Sequence, residues 1–244
     1  MPYRRLPQTD PSRISALRCA IEMEGYKENG ELVLSYQAIQ TAQQFLQKFE
    51  KTVTLYQQNI NQITASSKAY RKEIKNAKLY VSHFVTVMNM AIMRGELRKE
   101  IKIPYGLSMD NNLLPNLNTE ADLQEWGERI IKAEEIRTGN GGVPIYNPTI
   151  AKVKVHWGIF NDHYFGQKLL RESAEKLLKE IVEMRPEADD IILDIWNQVE
   201  ACYNTLPQEE KLEKCRKFGL IYYYRSNEKA QKPVVPAHPT FSFE

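Results

Sequence analysis

The chain has 244 residues, 42% of them hydrophobic and 26% charged, with 33 Lys and Arg against 31 Asp and Glu. Charges of both signs are plentiful and interspersed, which excludes a disordered or fibrous chain, and a net charge of only +2 argues against a dedicated polyanion binder. Cys19, Cys202 and Cys215 show no CxxC spacing, so neither a disulfide framework nor a zinc knuckle is expected, and a reducing, cytoplasmic compartment fits best.

The opening Met-Pro-Tyr-Arg-Arg-Leu-Pro has the positive charge of an export signal without the apolar stretch that must follow it. A first helix is predicted after it, with Thr9 as N-cap, Pro11 in the first turn, and Ile14, Leu17 and Ile21 on one face. Gly25 and Gly30 then bracket a predicted turn. From Glu31 to Arg94 there is neither Gly nor Pro, and an apolar stripe runs at spacings of three and four from Ile39 and Ala42 to Met88 and Ala91. Such a seven-residue repeat belongs to helices packed side by side. Its polar interruption, Ser67, lies in Thr64-Ala65-Ser66-Ser67, whose side chains compete with helical hydrogen bonding, so the turn of a helical hairpin is expected there. The alternative is one helix of about 60 residues, about 90 Å long, whose stripe needs a partner. The most apolar stretch, Leu79 to Met93, is interrupted by Ser82, His83, Thr86 and Asn89, and a bilayer span needs about 20 apolar residues. It reads as a buried core helix, and no membrane partner is expected.

Ile101 to Leu107, with Pro104 and Gly106, reads as a short extended segment, and Asp110 through Asn118 as loop. Thr119 with Asp122 forms a capping box for a helix whose apolar face is Leu123, Trp126, Ile130 and Ala133, and Gly139 to Gly142 ends it. Asn147 and Pro148 begin a further helix expected to reach Met184, and Pro186 starts another carrying Ala188, Ile192, Ile195, Val199 and Cys202 on one side. Pro207 starts a short last helix that Gly219 ends. Leu220 to Arg225 is aromatic and extended, a strand expected to pair near Ile101 to Ile103, and the tail 226–244, with Pro233, Pro236 and Pro239, has no packing pattern. A shift of 112 residues lays Leu79–Val87 on Ile191–Val199, and Tyr105-Gly-Leu107 matches Phe218-Gly-Leu220 one residue out of register, which suggests pseudo-repeats at about 31–107 and 148–220.

His156 and His163 are the weak metal candidates: seven residues apart on a helix, they share a side with Asp162 nearby, but lie about 10 Å apart and match no HExxH motif. His83, beside Phe84, reads as a core histidine hydrogen-bonded to a neighbour. Gly139-Asn-Gly-Gly142 lacks the Lys-Ser/Thr and helix of a phosphate loop and reads as a helix cap. Asp189-Asp190 and Glu209-Glu210 are placed in first helical turns, where negative charge suits the dipole. No nucleophile or acid/base motif occurs, so no catalytic residue, cofactor-binding residue or cofactor is assigned. Lys68, Arg71, Lys72, Lys75 and Lys78 form one helical face opposite the apolar stripe and are the candidate nucleic-acid contacts; a solvated face is the plainer account of them. Tyr222-Tyr-Tyr-Arg225 lacks the pattern of an RNA-binding sheet and is expected to pack on the bundle.

Pro-Tyr-Arg-Arg-Leu-Pro at residues 2 to 7, Tyr-Val-Ser-His-Phe at 80 to 84 and Asn-Pro-Thr-Ile-Ala at 147 to 151 resemble segments of an all-helical bacterial protein family without an assigned function. That resemblance implies no activity and assigns no residue a role. The expected fold is an all-α bundle of six or seven helices, built as two long helical hairpins in a single domain over residues 1–225, with at most one two-stranded β element. The expected function is a non-catalytic protein-interaction or structural role with a protein partner or self-association, because long heptad stripes need partners. The alternatives are a nucleic-acid-associated protein using the basic helix face, and an enzyme or small-ligand binder whose site is scattered over several helices.

Overall fold

The computed structural model describes residues 2–23 and 32–224. Within them the elements run β1 (Tyr3–Arg4), α1 (Asp10–Glu22), α2 (Tyr36–Met93), a 3₁₀ turn (Lys99–Lys102), α3 (Glu120–Gly139), α4 (Ile150–Cys202), α5 (Gln208–Lys217) and β2 (Tyr222–Tyr223). The mostly helical class and the single two-stranded antiparallel sheet agree with the sequence reading. The turn expected between Gly25 and Gly30 and the tail from residue 226 lie outside the described residues.

The helix count does not agree, because two expected breaks are absent. No hairpin turn occurs at Thr64–Ser67, and α2 is one helix of 58 residues. Thr64 Oγ1 donates to the Ile60 carbonyl, Ser66 Oγ to Gln62 and Ser67 Oγ to Thr64, each at 2.8 Å. These side chains bond back onto the helix and leave its backbone ladder intact. Pro186 likewise starts no helix and sits inside the 53-residue α4. The proline is exposed while Met184 and Ala188 on either side are buried, so packing holds the helix across the missing donor. Two long single helices thus replace the two expected hairpins, leaving five α-helices among the described residues.

The caps at Thr9 and Thr119 are present as full capping boxes. The N-terminus of α4 falls two residues later than expected, because Asn147 has φ of 57°, outside the helical region, and the first helical bond runs from Val153 N–H to the Thr149 carbonyl. Residues 101–107 are 3₁₀ and turn rather than extended, ending at Gly106 with φ of 71°. In such a turn residues three apart share a side, and Lys102 and Tyr105 are both turned inward. With no strand there, β2 pairs instead with β1, Tyr3 opposite Tyr223 and Arg4 opposite Tyr222.

The chain divides into two compact units, Met1–Leu55 with Leu177–Glu244 and Tyr56–Lys176. In the first, Leu17, Ala42, Phe49, Ile181, Ala188, Trp196 and Val199 are among the buried residues. Charge joins α1 to α4: the Arg13 guanidinium forks onto Asp189 at 2.8 and 2.9 Å, and Arg185 forks onto Asp10 at 2.8 Å twice. Planar two-bond pairing of this kind is the strong form of an ion pair. In the second unit, Ala77, Val81, Phe84, Val85 and Met88 of α2 share a core with Leu123 and Ile130 of α3 and Val153 and Phe160 of α4.

Candidate functional site

His156 and His163 both reach from α4 toward α2, at different turns and to different partners. The His156 ring stacks on Tyr80 with centroids 3.9 Å apart, and His163 Nδ1 meets the Glu73 carboxylate. Each imidazole is thereby committed to its own contact. Among the described residues no group of three or more His, Cys, Asp or Glu is placed to hold a metal ion. His83 is not the core histidine expected but is exposed, because the helical phase that buries Phe84 and Val85 turns position 83 to solvent.

Lys68, Arg71, Lys72 and Lys75 are all exposed along the outer face of α2, and none forms an ion pair with a described residue. Lys78 departs from this group: it is half-buried, and its ammonium donates to Asn118 Oδ1 at 3.2 Å. From Lys51 to Met93 the only carboxylate of α2 is Glu73, which is turned to His163. The outer face therefore carries positive charge without local compensation. Asp189 is mid-helix, not in a first turn, and holds Arg13, whereas Glu209 and Glu210 do occupy the first turn of α5. The Tyr222 hydroxyl donates to Glu200 Oε1 at 2.7 Å, and Tyr223 packs against Tyr3.

A buried polar cluster in the second unit has no counterpart in any sequence motif. Glu134 of α3 is fully buried, and Arg137 forks onto it with two bonds of 2.8 Å. The Tyr105 hydroxyl also donates to Glu134, and Ile145 N–H donates at 3.3 Å. Burial, reinforced by the carboxylate, pushes the Tyr105 hydroxyl well above the ordinary tyrosine range, so it stays a donor. Arg137 additionally donates to the Val143 carbonyl at 2.8 Å. Both carboxylate oxygens are thus occupied, and the cluster ties the 3₁₀ region, α3 and the following loop together. Only the Glu-Arg spacing of three was visible in the sequence, and surface ion pairs share that spacing.

Lys102 is a second such group, 2% exposed, with its ammonium donating to the Asn111 carbonyl at 2.8 Å and to Asn112 Oδ1 at 2.7 Å. Burial depresses its basicity, and neighbouring Lys99 adds to this. Cys215 is also buried, and loss of solvation pushes its thiol up, away from the thiolate that nucleophilic chemistry requires.

Comparison of the chain with protein-family models, with curated proteins and with solved structures finds no match.

The surface feature that the sequence reading missed is an apolar row on α4. Val155, Ile159, Phe165 and Leu169 are 59, 46, 52 and 68% exposed. Gly158 and Gly166 lie between them, and a Cβ added at either would meet nothing within 4 Å. Helical spacing puts all six on one side, turned away from the Val153 and Phe160 face that joins the core. No described helix is long and apolar enough to cross a membrane, so this row is not part of a helical span.

Proposed function

We propose that this chain is a non-catalytic protein-interaction or structural protein whose long helices present faces for another protein. The apolar row Val155, Ile159, Phe165 and Leu169 carries the reading, because side chains of this kind cost solvation free energy until another surface covers them. The flanking glycines favour close approach of a second helix, since they leave the backbone itself open to contact. The nucleic-acid alternative keeps the exposed cations of α2 as its support, and the enzyme alternative keeps the buried Glu134 and Lys102, although their hydrogen bonds are directed to the protein's own groups.

The test places a photoreactive amino acid at position 165 or 169 in cells making the protein at its native level. A discrete crosslinked species that disappears when Val155 and Ile159 are replaced by Asp supports the interaction role. Uncrosslinked chain from every position along the row would remove its main support.

A further inference from the structure

The charge that α2 leaves uncompensated has a counterpart elsewhere on the same chain. On α4, Glu183, Glu187, Asp190 and Asp194 recur at spacings of four, three and four, which puts them on one helical face, and all four are exposed. Asp194 accepts from Gln198 at 2.8 Å, and Glu183, Glu187 and Asp190 form no ion pair with a described residue. Arg185, between Glu183 and Glu187, is turned to Asp10, and Lys179 lies exposed one turn before Glu183. The two faces are of similar extent: Lys68 to Leu79 and Glu183 to Asp194 each rise about 16 Å along their helices. Each also carries apolar surface, with Leu79 continuing the basic face and Val182 and Leu193 flanking the acidic one, at 61, 48 and 37% exposure.

We infer that the basic face of α2 in one copy docks on the acidic α4 face of a second copy of this chain. The near-neutral total favours this occupant over a polyanion: the cations of α2 are balanced by carboxylates of the same chain, whereas a nucleic-acid binder carries a basic excess. Four charge pairs on an exposed surface make a weak contact that salt screens, so association is confined to low ionic strength or high local concentration. The inference rests on the interaction reading above and names its partner.

The experiment is a charge swap on the full chain, freed of nucleic acid and followed by sedimentation and light scattering at about 50 mM and about 500 mM salt, either side of strong screening. The wild-type weight-average mass is expected to rise with concentration above 28.4 kDa at low salt and to return to it at high salt. Replacing Lys68, Arg71, Lys72 and Lys75 by Glu makes both faces acidic, and replacing Glu183, Glu187, Asp190 and Asp194 by Lys makes both basic. Each variant alone is expected to stay monomeric at low salt with an unchanged circular dichroism spectrum. Mixed one to one, they regain complementary faces and associate again. Wild type that is monomeric at low salt, a reversed variant that associates as wild type does, or a mixture that stays monomeric would each overturn the inference. Wild type that assembles only when duplex DNA is added assigns the basic face to a polyanion instead. If association fails while the crosslink from position 169 persists to a different protein, this inference falls and the interaction reading stands.

Discussion

The Tyr105 hydroxyl shows how one buried group sets a pH limit. It donates to Glu134 in a site from which both side chains exclude water, and its ionisation in the folded chain is displaced upward. Below about pH 10, the ordinary tyrosine value, both folded and unfolded forms keep the proton and the contribution to stability is complete. Above it the unfolded chain releases a proton that the folded chain retains, so stability falls as pH rises. Urea unfolding of wild type and Tyr105→Phe is expected to show wild type more stable by about 1–2 kcal/mol at pH 8, with the gap narrowing above about pH 10. A gap independent of pH would show that the hydroxyl is not linked to folding. Gly127 is a steric counterpart: a Cβ there would lie 2.0 Å from Cδ1 of Trp157, whose indole N–H donates to the Leu123 carbonyl at 3.3 Å. Gly127→Ala gains helix propensity worth about 1 kcal/mol, but must displace that ring, and a net loss of about 1–2 kcal/mol with altered tryptophan fluorescence is expected.

At the scale of elements, each of the two absent breaks is open to a direct test. Thr64 and Ser67 lie inside α2 with their hydroxyls turned back on the helix. Replacing both by Ala is expected to leave thermal stability unchanged or raise it by up to about 0.5 kcal/mol per site, since Ala is the better interior helix former. A hairpin turn at those residues would instead be damaged by the same change. Pro186→Ala restores a backbone donor within α4 and is expected to stabilise the chain by about 1–3 kcal/mol in denaturant titration. Were Pro186 the first residue of a separate helix, losing it would bring no such gain. The sequence pattern marked both places as breaks, and the helix continues through each. It had no means of weighing them against their surroundings: the buried Met184 and Ala188 continue the packed face past Pro186, and at Thr64–Ser67 the hydroxyls bond back onto an unbroken ladder.

At the scale of the whole molecule, α2 and α4 each belong to both compact units without a break in their hydrogen bonding. Helix formation is cooperative along the chain, so loosening one unit is expected to reach the other through its helices. Phe160→Ala, which opens the core of the second unit, is expected to cost about 3–5 kcal/mol and to raise amide exchange in α4 beyond Leu177 as well as before it. Exchange that rises only between Tyr56 and Lys176 would show that the units open independently.

What the sequence determined by itself was local and periodic. The helical class followed from stripes of period near 3.5, the caps at Thr9 and Thr119 from side chains that bond within three residues, and the terminal strand from its run of tyrosines. Everything that needed a second segment was decided only by tertiary structure. Whether Ser67 or Pro186 ends a helix depends on what covers the neighbouring turns. The partner of β2 depended on residues 101–107 becoming a 3₁₀ turn, which left Tyr3–Arg4 to pair with it. The Glu134 cluster gathers Tyr105, Arg137 and Ile145 from three segments, and no spacing rule links 105 to 134. The exposed rows on α2 and α4 depend likewise on which faces the cores consume, because a stripe read along one chain shows that a face is apolar or charged, while only its surroundings decide whether it is covered.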